Sequence, residues 1–346
     1  MPSLSVAKAA NAAFTPSYVP IMVITGATSG IGQAIAQLFA NNQHGRARLV
    51  LVGRNRAAAE SIIASLPKPP SPAAQDAPEQ DQQPSTETTK PQPSYEFISC
   101  DMSLMKNVHD LARDLSTRLP HINFLVHSAG VFGFGGRQET AEGIDYKLAS
   151  RYYARWALTN DLLPLLRKAK DLGQPASVLS ILGAGEGPEK VDLEDLGLKK
   201  NYSGAKAMMQ SVSYNDLMVA VSDGQSDFFL SSSLPGARNS PNASPPLRLH
   251  TMYPGFVDTG MFSSSNPILK FIKFLFRPIL RLILTTPQDC AEYVLHALLD
   301  ADKGMYRRNS PGDDVGMTKF PQADGVEKEE AQRRLWEHSL EVTTVP

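Results

Sequence analysis

The chain has 346 residues, 42% of them hydrophobic, so its length allows one or two domains with a substantial buried core. Its 34 Lys and Arg residues balance 35 Asp and Glu residues for a formal net charge of -1, which argues against a nucleic-acid partner. Two cysteines, Cys100 and Cys290, are too few for a disulfide framework or a zinc cluster, so we expect both to be buried and expect no metal site. Because residues 1–15 lack a cationic start and a continuous apolar run, we predict a cytoplasmic location.

Short aliphatic runs alternate with helical patterns along most of the chain. The predicted strands are Ile21–Thr25, Leu49–Val52, Glu96–Ser99, Phe124–His127, Ala176–Ile181 and Leu247–Tyr253. The predicted helices are Ile31–Ala40, Ala57–Ser65, Asn107–Arg118, Ile144–Leu166, Tyr202–Val221 and Pro287–Leu299. Strands and helices that alternate in this way form a parallel sheet covered by helices on both faces. The predicted fold class is therefore α/β, with a doubly wound parallel sheet.

Two stretches interrupt this alternation. Residues Pro67–Ser94 contain eight prolines and no Val, Ile, Leu, Met, Phe, Trp or Tyr, so burial cannot offset the entropy cost of ordering them. Residues Ser222–Pro246 include 13 Ser, Pro and Gly residues. We interpret both as disordered insertions. With these set aside, the chain is predicted to form an N-terminal lead-in, residues 1–17, and a single domain, residues 18–346.

A glycine-rich turn, TGATSGIG at residues 25–32, follows the first strand and leads directly into the first helix. Glycine permits the tight turn, and it lets backbone N–H groups and the positive end of the helix approach a pyrophosphate. The pattern predicts a dinucleotide-binding turn. Its candidate cofactor-binding residues are Thr25, Gly26, Thr28, Ser29, Gly30, Ile31 and Gly32.

The spacing of this turn resembles that of the short-chain dehydrogenases/reductases, a family of Rossmann-type oxidoreductases that use NAD or NADP. The resemblance covers residues 18–343 apart from the two insertions. At the end of the second strand, an NAD-selective domain places an acid, whereas this chain has Arg54. Arginine can pair with the 2′-phosphate of NADP(H), so the resemblance implies NADP(H). A solvated loop arginine is the alternative interpretation of Arg54.

Further cofactor contacts follow from the same resemblance. Asp101, after the third strand, is similar to the family's adenine-contacting Asp. Ala129 and Gly130 match the end of the family's Asn-Asn-Ala-Gly turn, in which His127 and Ser128 replace the two asparagines.

Two segments near the C-terminal end of the chain extend the resemblance. The segment at residues 253–259 resembles the family's Pro-Gly-x-Val-x-Thr motif, which implies that Pro254, Val257 and Thr259 border the nicotinamide and the pyrophosphate. The run at residues 335–339 is similar to the closing helix of retinol-dehydrogenase-like members.

The candidate catalytic pair is Tyr202 and Lys206 in the sequence YSGAK. On a helix, this spacing places both side chains on one face about a turn apart. A neighbouring ammonium lowers the pKa of a phenol, so Tyr202 could give or take the proton that accompanies hydride transfer. In the family, the same lysine also holds the nicotinamide ribose. A chance pairing on a helix is the alternative interpretation.

Two departures from the family pattern concern the catalytic groups. Gly183 stands where the family has the serine that polarises the carbonyl, and Arg151 stands where it has a helix asparagine. Ser180 lies three residues upstream of Gly183, on the opposite face of the strand. Loss of one oxyanion donor typically costs about 10²–10³-fold in rate.

Two hypotheses about function follow. The first is an NADP(H)-dependent oxidoreductase that interconverts ketone and alcohol on a lipophilic small molecule, similar to a divergent fungal branch found in secondary-metabolite biosynthesis. The second is a cofactor-binding protein without redox activity, acting as a scaffold or sensor or as a non-redox isomerase or cyclase.

The apolar stretch at residues 267–284 is a poor membrane span, because it is interrupted by Lys270, Lys273, Arg277, Pro278 and Arg281. Its position matches the family's substrate loop, and peripheral membrane contact is left open. Homodimerisation through the helices at residues 144–166 and 202–221 is implied by the resemblance, although the insertion after the second helix could obstruct it.

Overall fold

The computed structural model describes residues 2–69, 91–219, 247–259, 284–300 and 304–344. The strands in these ranges are β1 Ile21–Thr25, β2 Arg48–Gly53, β3 Ser94–Ser99, β4 Phe124–His127, β5 Ser177–Ile181, β6 Arg248–Met252 and β7 Met305–Arg308. The helices are α1 Leu4–Ala13, α2 Gly30–Asn42, α3 Arg56–Ser65, α4 Met105–Arg118, α5 Tyr146–Leu148, α6 Ala154–Asp171, α7 Gly204–Val219, α8 Pro287–Leu299 and α9 Lys328–Thr343.

The seven described strands form one sheet in the order β3-β2-β1-β4-β5-β6-β7, and every neighbouring pair is parallel. The chain reverses its direction across the sheet between β1 and β4, where Thr25 pairs with His127. Such a switch point leaves a crevice beyond the carboxyl ends of the strands. The predicted α/β class with a doubly wound parallel sheet is confirmed.

Alternate residues of the central strands pack against helices on opposite faces of the sheet. Met22 and Ile24 belong to the core beneath α2 and α8, whereas Ile21 and Val23 belong to the core beneath α4, α6, α7 and α9. All five residues of β1 are buried, because a parallel sheet is covered on both faces. This burial fixes the carboxyl ends of the strands as the rigid frame of the crevice.

Two described elements lie outside the predicted set. The lead-in forms α1, which packs on α8 through Asn11, whose Nδ2 donates to the main-chain oxygen of Glu292 at 2.8 Å. Ser3 caps this helix by accepting from the amide of Val6. Strand β7 was also missed, because its sequence MYRR is half cationic and does not resemble a buried strand.

The two predicted insertions fall largely outside the described residues, which omit 70–90 and 220–246. The boundary at Ser94 is wrong, since Ser94 is the first residue of β3 and its amide donates to the oxygen of Ala47 at 3.1 Å. Of residues 267–284, only Leu284 is described. Within the described ranges, no helix is both long and apolar enough to span a bilayer.

The predicted helix at residues 144–166 has an irregular start. Asp145 caps α5 by accepting from the amides of Lys147 and Leu148, each at 3.1 Å. A π-helical segment at Ala149–Tyr153 then connects α5 to α6. π-helical turns are rare and occur often at functional sites. Arg151 lies in this segment.

His109 connects three helices and makes their packing sensitive to pH. Its Nδ1 lies 2.5 Å from an Asp161 carboxylate oxygen on α6, and its Nε2 lies 2.9 Å from the main-chain oxygen of Thr343 on α9. The hydrogen bond to Asp161 is the main cause of the raised pKa of His109. A raised pKa in the folded state stabilises the fold below the unfolded value of about 6.5, and this contribution is lost as pH rises through the folded pKa.

We therefore expect the free energy of unfolding to fall between pH 6 and pH 8 by up to about 1 kcal/mol more in the wild type than in His109→Gln. Urea unfolding at intervals across this range measures the difference. Parallel profiles for the two proteins would contradict the assignment.

Candidate active site

A cavity of about 720 Å³ opens at the carboxyl ends of β1 to β6, beside the switch point between β1 and β4. Its wall is made from the turns that follow these strands, so residues distant in sequence meet there. Crevices at this place are the ligand sites of open α/β sheets. Cys100 lies in the cavity wall and Cys290 is buried elsewhere, and both are free thiols, as predicted.

The turn after β1 can pack this closely against its own backbone and the turn after β4 only because it contains glycine. Gly26 has φ +73°, and a Cβ there would lie 2.5 Å from the amide nitrogen of Ala129. A Cβ on Gly32 would lie 2.4 Å from the oxygen of Gly26. Ser29 occupies the N-cap of α2, yet its side chain makes no capping hydrogen bond. The first amides of α2 therefore remain available to an anion, which fits the pyrophosphate of a dinucleotide.

The structure brings most of the predicted cofactor residues into the cavity wall, and four of them lie outside it. These four are Thr25 and Gly32, the two ends of the glycine-rich turn, and Tyr202 and Lys206. The predicted residues in the wall are Gly26, Thr28, Ser29, Gly30, Ile31, Arg54, Asp101, Ala129, Gly130, Pro254, Val257 and Thr259.

Arg54 is exposed at the end of the cavity nearest to β2, and its Nη1 donates to the hydroxyl of Tyr146 at 3.0 Å. Tyr146 also lines the cavity. Sequence reasoning missed this partner because it lies 92 residues along the chain, in the first turn of a separate helix. The pairing holds a guanidinium where a 2′-phosphate could be bound.

Two residues beside the turn are fixed by local hydrogen bonds. One carboxylate oxygen of Asp101 accepts from the amide of Ser103 at 2.9 Å and from its hydroxyl at 2.7 Å, which orients Asp101 in the cavity wall. His127 lies 2.9 Å from the hydroxyl of Thr159 through Nε2. Burial, with a smaller contribution from Arg155, lowers the pKa of His127 to about 3, so the ring is neutral.

The predicted helical pairing of Tyr202 with Lys206 is wrong. Helix α7 begins at Gly204, and the hydroxyl of Ser203 accepts from the amide of Lys206 at 3.0 Å. A Cβ on Gly204 would lie 2.4 Å from the carbonyl carbon of Phe134. Tyr202 thus precedes the helix, and helical spacing does not apply to it. The Ser-Gly pair after Tyr202 was the available sign of a helix start.

Lys147 supplies the ammonium that contacts Tyr202. Its Nζ donates to the Tyr202 hydroxyl at 3.0 Å and to the oxygens of Gly135 and Gly136 at 3.3 Å. Partial burial raises the pKa of Tyr202 above its ordinary value, and the opposing effect of Lys147 is smaller. The expected lowering of this pKa by Lys206 is therefore wrong, and Tyr202 is protonated at neutral pH.

The two sites of departure from the family pattern both line the cavity. Gly183 has no side chain, so it offers no hydroxyl in place of the family's serine. A Cβ built there would lie 3.1 Å from Cγ2 of Val212. The hydroxyl of Ser180 accepts from Arg155 at 2.6 Å and donates to Asn215 at 2.9 Å. Ser180 is thus engaged away from the cavity and does not replace the missing serine.

Arg151 occupies the place of the family's asparagine, and its guanidinium contacts α7 and the turn after β4. Nε donates to the hydroxyl of Ser211 at 3.0 Å, Nη1 to the oxygen of Val131 at 3.3 Å, and Nη2 to the oxygen of Met208 at 3.4 Å. Arg155, one turn later, also lines the cavity. Sequence reasoning missed Arg155, because an arginine in a helix is usually solvated.

Comparison with known proteins adds to this geometry. A family model described as "KR domain" matches residues 21–185. The chain is 27% identical over 283 residues to "Oxidoreductase AN1596" of Emericella nidulans, which covers 81% of this chain and 72% of the relative. The chain is thus similar to oxidoreductases and to proteins named as short-chain dehydrogenases/reductases. The resemblance stated from its motifs is confirmed.

Further relatives are similar to this chain over different shares of its length. "Oxidoreductase andH" of Emericella variicolor is 32% identical over 57% of this chain, and the match spans only 51% of that relative. "Polyprenol dehydrogenase" of Mus musculus is 25% identical, with 95% of this chain and 87% of the relative covered. An uncharacterized protein of Mycobacterium paratuberculosis has the same fold, with a TM-score of 0.60, 19% identity and 96% coverage of each chain.

Proposed function

We propose that this chain is an NADP(H)-dependent short-chain dehydrogenase/reductase that interconverts ketone and alcohol on a lipophilic small molecule. One observation carries the proposal. The glycine turn, the guanidinium of Arg54 and an apolar surface all line a single cavity at the switch point of the sheet. One crevice could thus hold both the phosphates of a dinucleotide and an apolar substrate.

The residues present fit NADP(H). The uncapped start of α2 would bind the pyrophosphate, and Arg54 would bind the 2′-phosphate. Asp101, Pro254, Val257 and Thr259 line the same cavity and would contact the adenine and nicotinamide ends. When bound, the cofactor supplies hydride transfer. Lys206 as a ribose contact stays a prediction.

Tyr202 is proposed as the acid that delivers the proton during carbonyl reduction. Its raised pKa keeps the phenol protonated, and Lys147 orients the hydroxyl through their 3.0 Å hydrogen bond. An acid suits reduction of a ketone better than oxidation of an alcohol, because the latter requires a base. The protonated phenol is the form that donates to a carbonyl oxygen during reduction.

The rim of the cavity is apolar, which supports the proposal of a lipophilic substrate. Four large apolar side chains remain 43–66% exposed there: Phe132, Phe134, Met209 and Phe256. Exposed apolar clusters of this kind mark ligand or interaction sites. The polyprenol dehydrogenase named above is a relative whose name indicates a lipophilic substrate. Placement in fungal secondary-metabolite biosynthesis draws on the similarity to fungal oxidoreductases and stays a prediction, as do a cytoplasmic location and a homodimer.

A second candidate function is cofactor binding without redox chemistry. It is favoured by Gly183, which offers no hydroxyl to a carbonyl, and by the position of Tyr202 outside the cavity wall. On this reading, the cavity would hold a cofactor and a ligand for sensing, or for an isomerisation or cyclisation.

Cofactor choice is tested with Arg54→Ala. Because a charge-assisted hydrogen bond contributes about 1.5–3 kcal/mol, we expect NADPH to bind roughly 10–100-fold more weakly and NADH to bind as before. Fluorescence titration of both nucleotides measures the change. The matched control is Arg56→Ala, which removes an exposed arginine two residues later that pairs with Glu60 at 3.9 Å. Equal weakening of both nucleotides would contradict a role in 2′-phosphate binding.

A further inference from the structure

Two buried arginines line the cavity side by side, next to Gly130. Arg151 is 9% exposed and Arg155 is 4% exposed. A Cβ built on Gly130 would lie 3.4 Å from Nη2 of Arg155 and 3.7 Å from Cγ of Arg151, so both side chains flank the same glycine of the cavity wall. Burial lowers the pKa of Arg151 to about 10 and that of Arg155 to about 9, and both remain charged at neutral pH.

Within the described ranges, neither guanidinium has a carboxylate partner. Among the described residues, no Asp or Glu oxygen lies within 4.0 Å of Arg151 or Arg155. Of the two carboxyl side chains in the cavity wall, Asp101 accepts from Ser103, and Glu186 is exposed and forms no ion pair with either arginine in the described structure. Residues 260–283, which follow the cavity residue Thr259, contain no Asp or Glu in their sequence.

Both guanidiniums retain unused donors. A guanidinium has five N–H groups, and each of these arginines makes three hydrogen bonds in the described structure. Nε of Arg155 is buried without a partner. Arg307 is equally buried, but all five of its N–H groups are used and two of them bind Asp216.

Two adjacent buried cations without a counter-ion are costly, and an anion that entered the cavity would relieve that cost. The cofactor phosphates already have the start of α2 and Arg54. The cavity wall also includes apolar side chains of α7, among them Met208 and Val212. The expected anion is therefore a single charged group on an apolar body.

We propose that Arg151 and Arg155 bind the carboxylate of an organic acid, so that the substrate is an apolar carbonyl compound that carries an acid group. Carboxylates suit this place because a guanidinium can bind both of their oxygens at once. This inference rests on the proposed function, since it specifies the substrate class of the same site. Binding is its direct readout, and turnover is not required.

The experiment compares an acid with its neutral isostere. The full chain is titrated calorimetrically with 4-phenylbutyrate and with 4-phenylbutyramide, each with and without saturating NADP⁺. We expect the acid to bind roughly tenfold or more tightly than the amide, because only the acid makes charge-assisted hydrogen bonds. Arg151→Gln should remove most of this preference. Arg113→Gln, which removes an exposed arginine paired with Asp110, should keep it.

Several outcomes would overturn the inference. Equal affinity of acid and amide in the wild type is one. Displacement of the acid by NADP⁺ is another, since it would assign the arginines to a cofactor phosphate. If Arg151→Gln does not fold, Arg155→Lys keeps the charge but loses the planar fork, and an unchanged preference there would count against the site. Failure of the proposed function is separate, because it appears as absent NADPH binding or oxidation while the acid preference persists.

Discussion

Replacing Tyr202 by phenylalanine is expected to lower the NADPH-dependent reduction of lipophilic ketones by about 10²–10⁴-fold, the usual contribution of a positioned acid. NADPH affinity should be nearly unchanged, because the proposed phosphate contacts, the start of α2 and Arg54, are retained. The fold should also survive, since the ring keeps its neighbours Arg137 and Lys147 at 5.9 and 5.5 Å from its centroid. Steady-state absorbance at 340 nm follows NADPH oxidation, and fluorescence titration follows its binding.

The matched control for this experiment is Tyr95→Phe, which removes a hydroxyl that donates to Pro67 at 2.9 Å on the edge strand of the sheet. Its turnover should equal that of the wild type. Undiminished turnover in Tyr202→Phe would assign the proton to another group. A wild-type protein that binds NADPH but oxidises it with no ketone in a broad lipophilic panel would favour the second candidate function.

The largest expected effect on stability is that of Asp216→Asn. Asp216 and Arg307 have side chains that are 2% and 0% exposed, and their charged atoms lie 3.0 Å apart. The carboxylate also accepts from the amide of Gly185 and from the hydroxyl of Thr251, each at 2.8 Å. Removing its charge leaves Arg307 buried and uncompensated, which typically costs about 3–5 kcal/mol. We expect urea unfolding to show a loss of this size.

Asp324→Asn provides the comparison, because Asp324 pairs with Lys190 at 3.0 Å while both side chains are about 80% exposed. An exposed pair contributes about 0–1 kcal/mol, so this variant should unfold almost like the wild type. If Asp216→Asn also lost less than about 1 kcal/mol, the pair would not be the anchor of β7 that its burial implies.

Much of the fold could be predicted because burial leaves a regular pattern in the sequence. The runs Ile21–Thr25 and Phe124–His127 were predicted with the bounds that the structure has. Strand β7 escaped prediction because it carries Arg307, whose charge is compensated by a partner 91 residues away. A residue pattern shows hydrophobicity directly, but it does not show which charges will meet.

Some residues of the candidate site could likewise be predicted from local sequence, and others could not. The cofactor turn was predicted because glycine and strand-helix context act locally, and Gly26 and Gly30 both have positive φ. Lys147 beside Tyr202 was not predicted, since the two residues meet only when the loop at residues 134–136 folds between α5 and α7. The place of Arg155 in the cavity wall also depends on contacts between residues distant in sequence, so it was not predicted.

The π-helical segment Ala149–Tyr153 determines which charges the cavity presents. Its closing hydrogen bond runs from the amide of Ala154 to the oxygen of Ala149, one residue longer than an α-helical turn. Deleting one residue there would restore the α-helix and rotate the preceding part by about 100° relative to α6. Arg151 would then no longer lie beside Arg155, and the cavity wall would present one buried guanidinium there instead of two. Under the proposal of acid binding, the length of this one turn would distinguish homologous chains that select acids from those that select neutral ligands.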